Sequence, residues 1–287
     1  MDLTNTSTGI SIGAISLIGN GYMMAPITDR QDAKITCDAN ITYDFPTKVL
    51  HGVFNMRINA SPVTGSGQMT IHVAPPLWYI RVGDPYNRVT ISLASWLTAG
   101  AYLMCGTNIP PPPPPPPQVA SVLGTMPADR NSNIASGNGF AFGASMQVST
   151  GRQYYLIFYG DVSFLGGFDM AILQQARCAG IDGWYAQGQL YAYINASIGL
   201  HVDIGFYTYY PCCCWYCAYL CKWCQGPYVG YKGDYEILGI TAAALLQAGG
   251  PNPLWVRGTV AGRYSILGGL VSGYCSFQFT KGTVCTL

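Results

Sequence analysis

The sequence predicts an all-β protein, either an antiparallel β-sandwich or a meander-rich β architecture with long Pro-rich and Cys-rich loops. Three observations carry this. Apolar and polar residues alternate with a period of two along most of the chain, as they do in half-buried strands. Gly, Pro, Asn or Asp bounds the alternating runs, as turn residues do. Charged residues make up only 9% of the 287, against roughly 25% in average soluble domains. A surface so poor in charge has to be covered by copies of itself, by lipid or by carbohydrate.

The first thirty residues begin with GISIGAISLIG over 9–19, which alternates small or polar with apolar residues. Residues 1–30 therefore read as an exchanged arm that adds to a sheet edge, or as an edge strand within their own subunit. Gly13, Gly19, Asn20 and Gly21 interrupt the unbroken apolar stretch that a secretory leader needs. A leader already removed, or a longer parent chain, is the expectation. Short antiparallel strands follow at Val53–Asn59, Gln68–Val73, Trp78–Val82 and Arg88–Leu93. Ser92–Leu103 and Met170–Ala179 hint at helix.

Eight consecutive prolines, Pro110–Pro117, must be polyproline II, because each ring fixes φ and removes the backbone donor. At about 3.1 Å per residue the tract is a rod of roughly 25 Å. It reads as a stiff loop or linker, with a docking ligand as the functional alternative. Ala128–Gly139 is rich in Ser, Asn and Gly. The expected organisation is an N-terminal β segment over 1–109, a proline and polar linker over 110–138, and a C-terminal β-rich domain over 139–287. The last holds longer runs at Gly139–Ser149, Gln153–Leu173, Gly183–Tyr210, Gly233–Gln247 and Leu254–Thr280, with a Cys-rich loop at 211–227.

A net charge of +1 leaves no electrostatic footprint for nucleic acid. No stretch reaches the roughly 18 apolar residues of a membrane helix. Eleven cysteines favour an oxidising, extracellular setting. Six of them crowd together as Cys212, Cys213, Cys214, Cys217, Cys221 and Cys224. The last four read C-x2-C-x3-C-x2-C, but structural zinc sites separate their pairs by more than about 10 residues. Disulfides stapling an exposed Tyr/Trp-rich loop are the preferred reading, with metal or free thiols as alternatives; no cofactor is expected.

His51, His72 and His201 sit in no nucleophile-elbow or H-x-x-x-H context. The carboxylates show no pairing that marks a hydrolase, and the Gly-rich turns precede no helix that could hold a phosphate. The chain is expected not to be an enzyme. Asn5, Asn40, Asn59 and Asn195 head Asn-x-Ser/Thr triplets and are candidate glycosylation sites.

From Leu77 onward several strings stand out: LWYIRVGDPYNRVTISL, SGNGFAFGASMQVSTG, and NPLWVRGTVAGRYSILGGLVSGYCSFQF. Their kind and order resemble the C-terminal region of very long secreted surface proteins of the Bacteroidota, over about residues 77–287. The resemblance implies export to the cell surface and no enzyme. The Cys212–Cys224 segment departs from the pattern as an expanded loop, and no functional residue carries over.

The function expected first is a structural subunit of an extracellular filament, tube or surface layer, self-assembling through uncharged β faces. Its partners are copies of itself, with glycans as a second class. An outer-membrane β-barrel is the alternative: alternating strands and Tyr/Trp girdles are its signature, although the N-terminal strands read as too short for the 9 to 11 residues it needs. A carbohydrate-binding surface protein, stacking sugars on Trp184, Tyr185, Trp215 and Trp223, is the third reading.

Overall fold

The computed structural model describes residues 2–6, 9–24, 32–107, 109–110, 112–124, 138–174, 183–212 and 222–283. For residues 2–6, 9–11, 211, 212, 222 and 228 only the backbone is described. Period-two alternation becomes strand almost everywhere. The strands are β1 (Asp2–Thr6), β2 (Gly9–Met23), β3 (Ile35–Asp44), β4 (Val49–Ala60), β5 (Val63–Ala74), β6 (Leu77–Val82), β7 (Val89–Leu93), β8 (Leu97–Gly106), β9 (Gly139–Ser149), β10 (Gln153–Tyr155), β11 (Phe158–Gln174), β12 (Trp184–Cys212), β13 (Lys222–Gly250), β14 (Trp255–Ile266) and β15 (Val271–Gly282). One helix, α1 (Pro117–Leu123), stands between β8 and β9.

All fifteen strands belong to one antiparallel sheet. The all-β class is as expected, and of the two architectures it is the meander, not the sandwich. β7 pairs with β5 and β8 beyond the end of β6, and β10 pairs with β11 beyond the end of β9. β6 with β7, and β9 with β10, are thus broken strands in single positions. Every position neighbours the one before it in the chain.

Several expectations change. Where described, the two helix hints are strand: Ser92–Leu103 is the β7–β8 hairpin and Met170–Gln174 closes β11, while 175–179 of the second lie outside the described residues. In β8 the period-two order puts Tyr102 and Met104 on one face and Leu103 on the other, which a helix could not do. β4 and β5 each have 12 residues, longer than expected, because the ladder runs through Gly52, Gly65 and Gly67. In the single chain β2 pairs with β3 from Ala14↔Asp44 to Met23↔Ile35, as the edge-strand reading of residues 1–30 has it. The sheet is continuous across 110–138, since β8 and β9 pair directly from Leu97↔Val148 to Gly106↔Gly139. The Cys-rich loop is narrower than 211–227, because the ladder continues through Tyr210↔Cys224 and Cys212↔Lys222.

The octaproline ends in α1, whose first helical position is Pro117. Proline suits that position because the missing N–H would have had no partner there. No sequence expectation placed a helix here.

Glycine and aromatic residues face each other across the strands: Tyr102↔Gly143, Tyr159↔Gly199, Gly167↔Tyr191, Gly249↔Trp255 and Gly273↔Tyr264. The ring lies over the glycine. A Cβ at Gly167 would stand 2.6 Å from Tyr191 Oη, and one at Gly249 2.4 Å from Trp255 Nε1. Cross-strand pairs of this kind fix register.

The buried core is not between two sheets. One cluster joins Ile109 to Tyr102, Met104, Ala141, Ala171, Leu173 and Tyr185. A second joins Val119, Val122 and Leu123 of α1 to Leu165, Tyr191, Ala243, Leu245 and Ala261. The segment from Ile109 to Leu123 therefore packs on one face of the sheet, and no described segment covers the other.

Candidate functional site

Two register lines one residue apart show what distinguishes the faces. The first crosses twelve strands through Met23, Ile35, Ile58, Gly65, Ile91, Ala99, Met146, Gly166, Ala192, Ala244, Val260 and Phe277. It contains no polar side chain. The second runs through Tyr22, Thr36, Arg57, Ser66, Thr90, Gly100, Ser145, Gly167, Tyr191, Leu245, Thr259 and Gln278. Leu245, its one aliphatic residue, lies under α1.

Charge follows the same division. Asp38, Asp44, Arg57, Arg81, Asp161, Asp169, Asp203, Lys232, Asp234, Glu236, Arg257 and Arg263 all stand on the second face, the polar face. Among strand residues with described side chains, Lys281 at the end of β15 is the exception. The apolar face instead exposes large hydrophobic side chains along its whole width, among them Leu17, Ile91, Leu103, Phe168, Leu190, Ile194, Ile240, Val260 and Phe277. Leu190 is 56% exposed. Shallow grooves of about 600 and 480 Å³ cross this face, floored by small residues such as Ala99, Ala101 and Gly166, and by Ala186 and Gly188.

On the polar face part of the charge is paired. Arg88 Nη2 donates to Asp169 Oδ1 at 2.6 Å, and Gln189 Nε2 donates to Asp169 Oδ2 at 3.3 Å and to the Pro113 carbonyl at 2.8 Å. Asp169 is 1% exposed.

A second cluster gathers at the other end of β11. Arg152 pairs with Asp234, His201 Nδ1 lies 2.6 Å from Asp234 Oδ1, and Tyr154 Oη donates to Asp234 Oδ2 at 3.1 Å. The His201 contact, with Arg152 and Tyr154, holds the Asp234 carboxyl below its usual range. Ser197 donates to Asp161 at 2.7 Å, and Thr241 donates to Asn195 Oδ1 at 2.7 Å. Four arginines lie over tyrosine rings: Arg81 on Tyr79, Arg88 on Tyr102, Arg152 on Tyr159 and Arg263 on Tyr274. His51 and His72 face each other across β4 and β5 with Nδ1 atoms 3.3 Å apart. No group of three or more metal-ligating side chains occurs among the described residues.

β12 and β13 outrun the sheet. β11 pairs with β12 as far as Leu200, and β14 with β13 as far as Leu238. Beyond them Val202–Cys212 and Lys222–Gly233 continue alone as a two-stranded ribbon. At about 3.3 Å per residue it projects roughly 35 Å. Ile204, Phe206, Tyr207, Tyr209, Tyr210, Trp223, Val229 and Tyr231 are exposed on it.

Of the cysteines singled out from sequence, Cys224 is disulfide-bonded. Cys213, Cys214, Cys217 and Cys221 lie outside the described residues, as does the side chain of Cys212. Cys37, Cys105 and Cys275 are free thiols. Of the candidate glycosylation sites, Asn40 and Asn59 are exposed, Asn195 is engaged with Thr241 and Asp161, and only the backbone of Asn5 is described. Sequence reasoning missed Arg88, Asp169, Gln189 and Arg152. Arg88 and Asp169 are 81 residues apart, and only the sheet register brings them together. The chain matches no known family model, curated protein or solved structure.

Proposed function

We propose that this chain forms the wall of a transmembrane β-barrel of the outer-membrane type, with its apolar face against lipid acyl chains and its polar face lining the interior. The observation that carries the reading is the pair of register lines: apolar across twelve strands, then polar one residue later. Lipid-facing walls alternate apolar-out and polar-in in this way. β3, β4, β5, β8, β9, β14 and β15 have 10 to 12 residues, close to the roughly 9–11 of a membrane-crossing strand. Consecutive antiparallel neighbours are the topology of an up-and-down barrel.

No helix among the described residues is long and apolar enough to cross a membrane, so crossing falls to the strands. In lipid every backbone N–H and C=O needs a partner, and a wall with a free edge leaves a row unpaired. The reading therefore requires the outer edges of β1 and β15, and of the stretch of β2 that β1 does not cover, to be paired in the bilayer.

The filament expected first would bury the apolar face against another copy. Flotation separates the two readings. With phospholipid vesicles the chain should rise with the lipid, resist alkaline extraction and keep its β-sheet signal. Ordered polymers formed without lipid or detergent would favour the filament and overturn the barrel.

A further inference from the structure

The polar face carries one feature that a lipid-bounded wall does not need: an apolar patch at its centre, with a separate piece of chain seated on it. Resting on the barrel reading, we propose that residues 109–124 are an interior plug that closes a passage for small hydrophilic solutes, latched to the wall through Gln189.

The seat is specific. Ile109 and Val119 are 0% exposed and Leu123 is 7% exposed, among the most deeply buried side chains of the chain. Elsewhere the same face is open: Asp38, Asn55 and Gln68 of β3–β5 are not covered by any described segment, and they line a polar hollow of about 690 Å³. From β7 to β15 the aliphatic residues of the polar lining, Leu165, Leu173, Leu245 and Ala261 among them, all lie where the segment packs. An interior facing water has no other use for them.

The segment also follows the wall lengthwise. Ile109 clusters with Leu173 and Ala171, Pro113 meets Gln189 beside Asp169, and α1 clusters with Leu165. Those contacts descend β11 in order. From Leu173 to Leu165 is about 26 Å at 3.3 Å per residue, and the eight steps from Ile109 to the start of α1 span about 25 Å at the 3.1 Å per residue of polyproline II. A rod without backbone donors cannot join the ladder as another strand. It stays a separate body inside the wall. β8 and β9 pair directly without it, so the wall does not depend on it for register.

The latch is a relay of three side chains. Gln189 Nε2 bridges the Pro113 carbonyl and Asp169, and Arg88 holds Asp169. A proline carbonyl can only accept, and a donor on the wall is the partner it needs.

The test is ion conductance of the chain in planar bilayers, with flotation of the same preparation in vesicles. Two variants unseat the plug: Val119→Asp with Leu123→Asp, and replacement of residues 110–124 by a Gly/Ser linker. The second leaves every wall strand intact. Both should float and keep their β signal, and their conductance should exceed that of the parent chain at least ten-fold; Gln189→Leu should give a smaller rise. Conductance equal to the parent's in a floating linker variant overturns the plug and leaves the barrel standing. Failure of the parent chain itself to float overturns both.

Discussion

The apolar and polar faces of this sheet are made by alternate residues of the same strands, yet they are organised by opposite rules. On β12, Leu190, Ile194 and Ile198 reach out exposed from one face with no described segment over them, while Gln189, Tyr191 and Asn195 on the other are buried or hydrogen-bonded. The apolar face has area and no described segment over it; the polar face carries the ion pairs, the arginine–tyrosine contacts and the seated segment. A protein folding in water alone would reverse that allocation, because apolar area left exposed forfeits about 25 cal/mol per Å². The difference teaches that the core seen here is the smaller part of the apolar surface, and that the larger part is completed by the surroundings.

The comparison breaks most readily at the core of the polar face. Trp255 is buried, lies over Gly249, and donates from Nε1 to Tyr185 Oη at 3.0 Å. Trp255→Ala should cost about 3–5 kcal/mol, measured by denaturant unfolding in lipid vesicles. A loss below about 1 kcal/mol would mean that this face does not carry the packing.

Next comes charge on the apolar face. Leu190→Arg should cost about 2–4 kcal/mol near the bilayer centre. Gln147→Arg, on the polar face of β9, should cost under about 1 kcal/mol. Equal costs in the same unfolding assay would erase the distinction between the faces.

The smallest effect sharpens the picture of the polar face. Asp234 is held below its usual carboxylate range by His201, Arg152 and Tyr154. Stability from a lowered carboxylate is present above its unfolded value and is lost as pH falls through the folded one. Exchange of the Gln153–Tyr155 amides should therefore accelerate below about pH 4, and Asp234→Asn should remove that acid limb. An unchanged acid limb in the variant would place the titration elsewhere.

How much of this was legible follows from the range of each signal. Alternation is local, so strands such as Gly139–Ser149 stood out with correct bounds. Gly52, Gly65 and Gly67 interrupt the apolar pattern without interrupting the ladder, so β4 and β5 read too short. The Gly–aromatic pairs are invisible until register is known, although the 35 glycines and 21 tyrosines were plain. α1 was hidden because proline marks the end of a helix as often as its first turn. The Arg88–Asp169–Gln189 relay joins three strands' worth of sequence, and no spacing announces it.

The central claim is that the face holding Leu190, Ala192, Ile194, Ala196 and Ile198 meets lipid while the face holding Asn195, Ser197 and His201 meets water or protein. Solid-state NMR of the chain in bilayers measures this directly, by magnetisation transfer from acyl-chain and from water protons to these side chains of β12. Transfer from lipid to the first set and from water to the second, alternating residue by residue, is the predicted result. Water transfer to both sets, or contacts from the first set to another copy of the chain with no lipid signal, would contradict it.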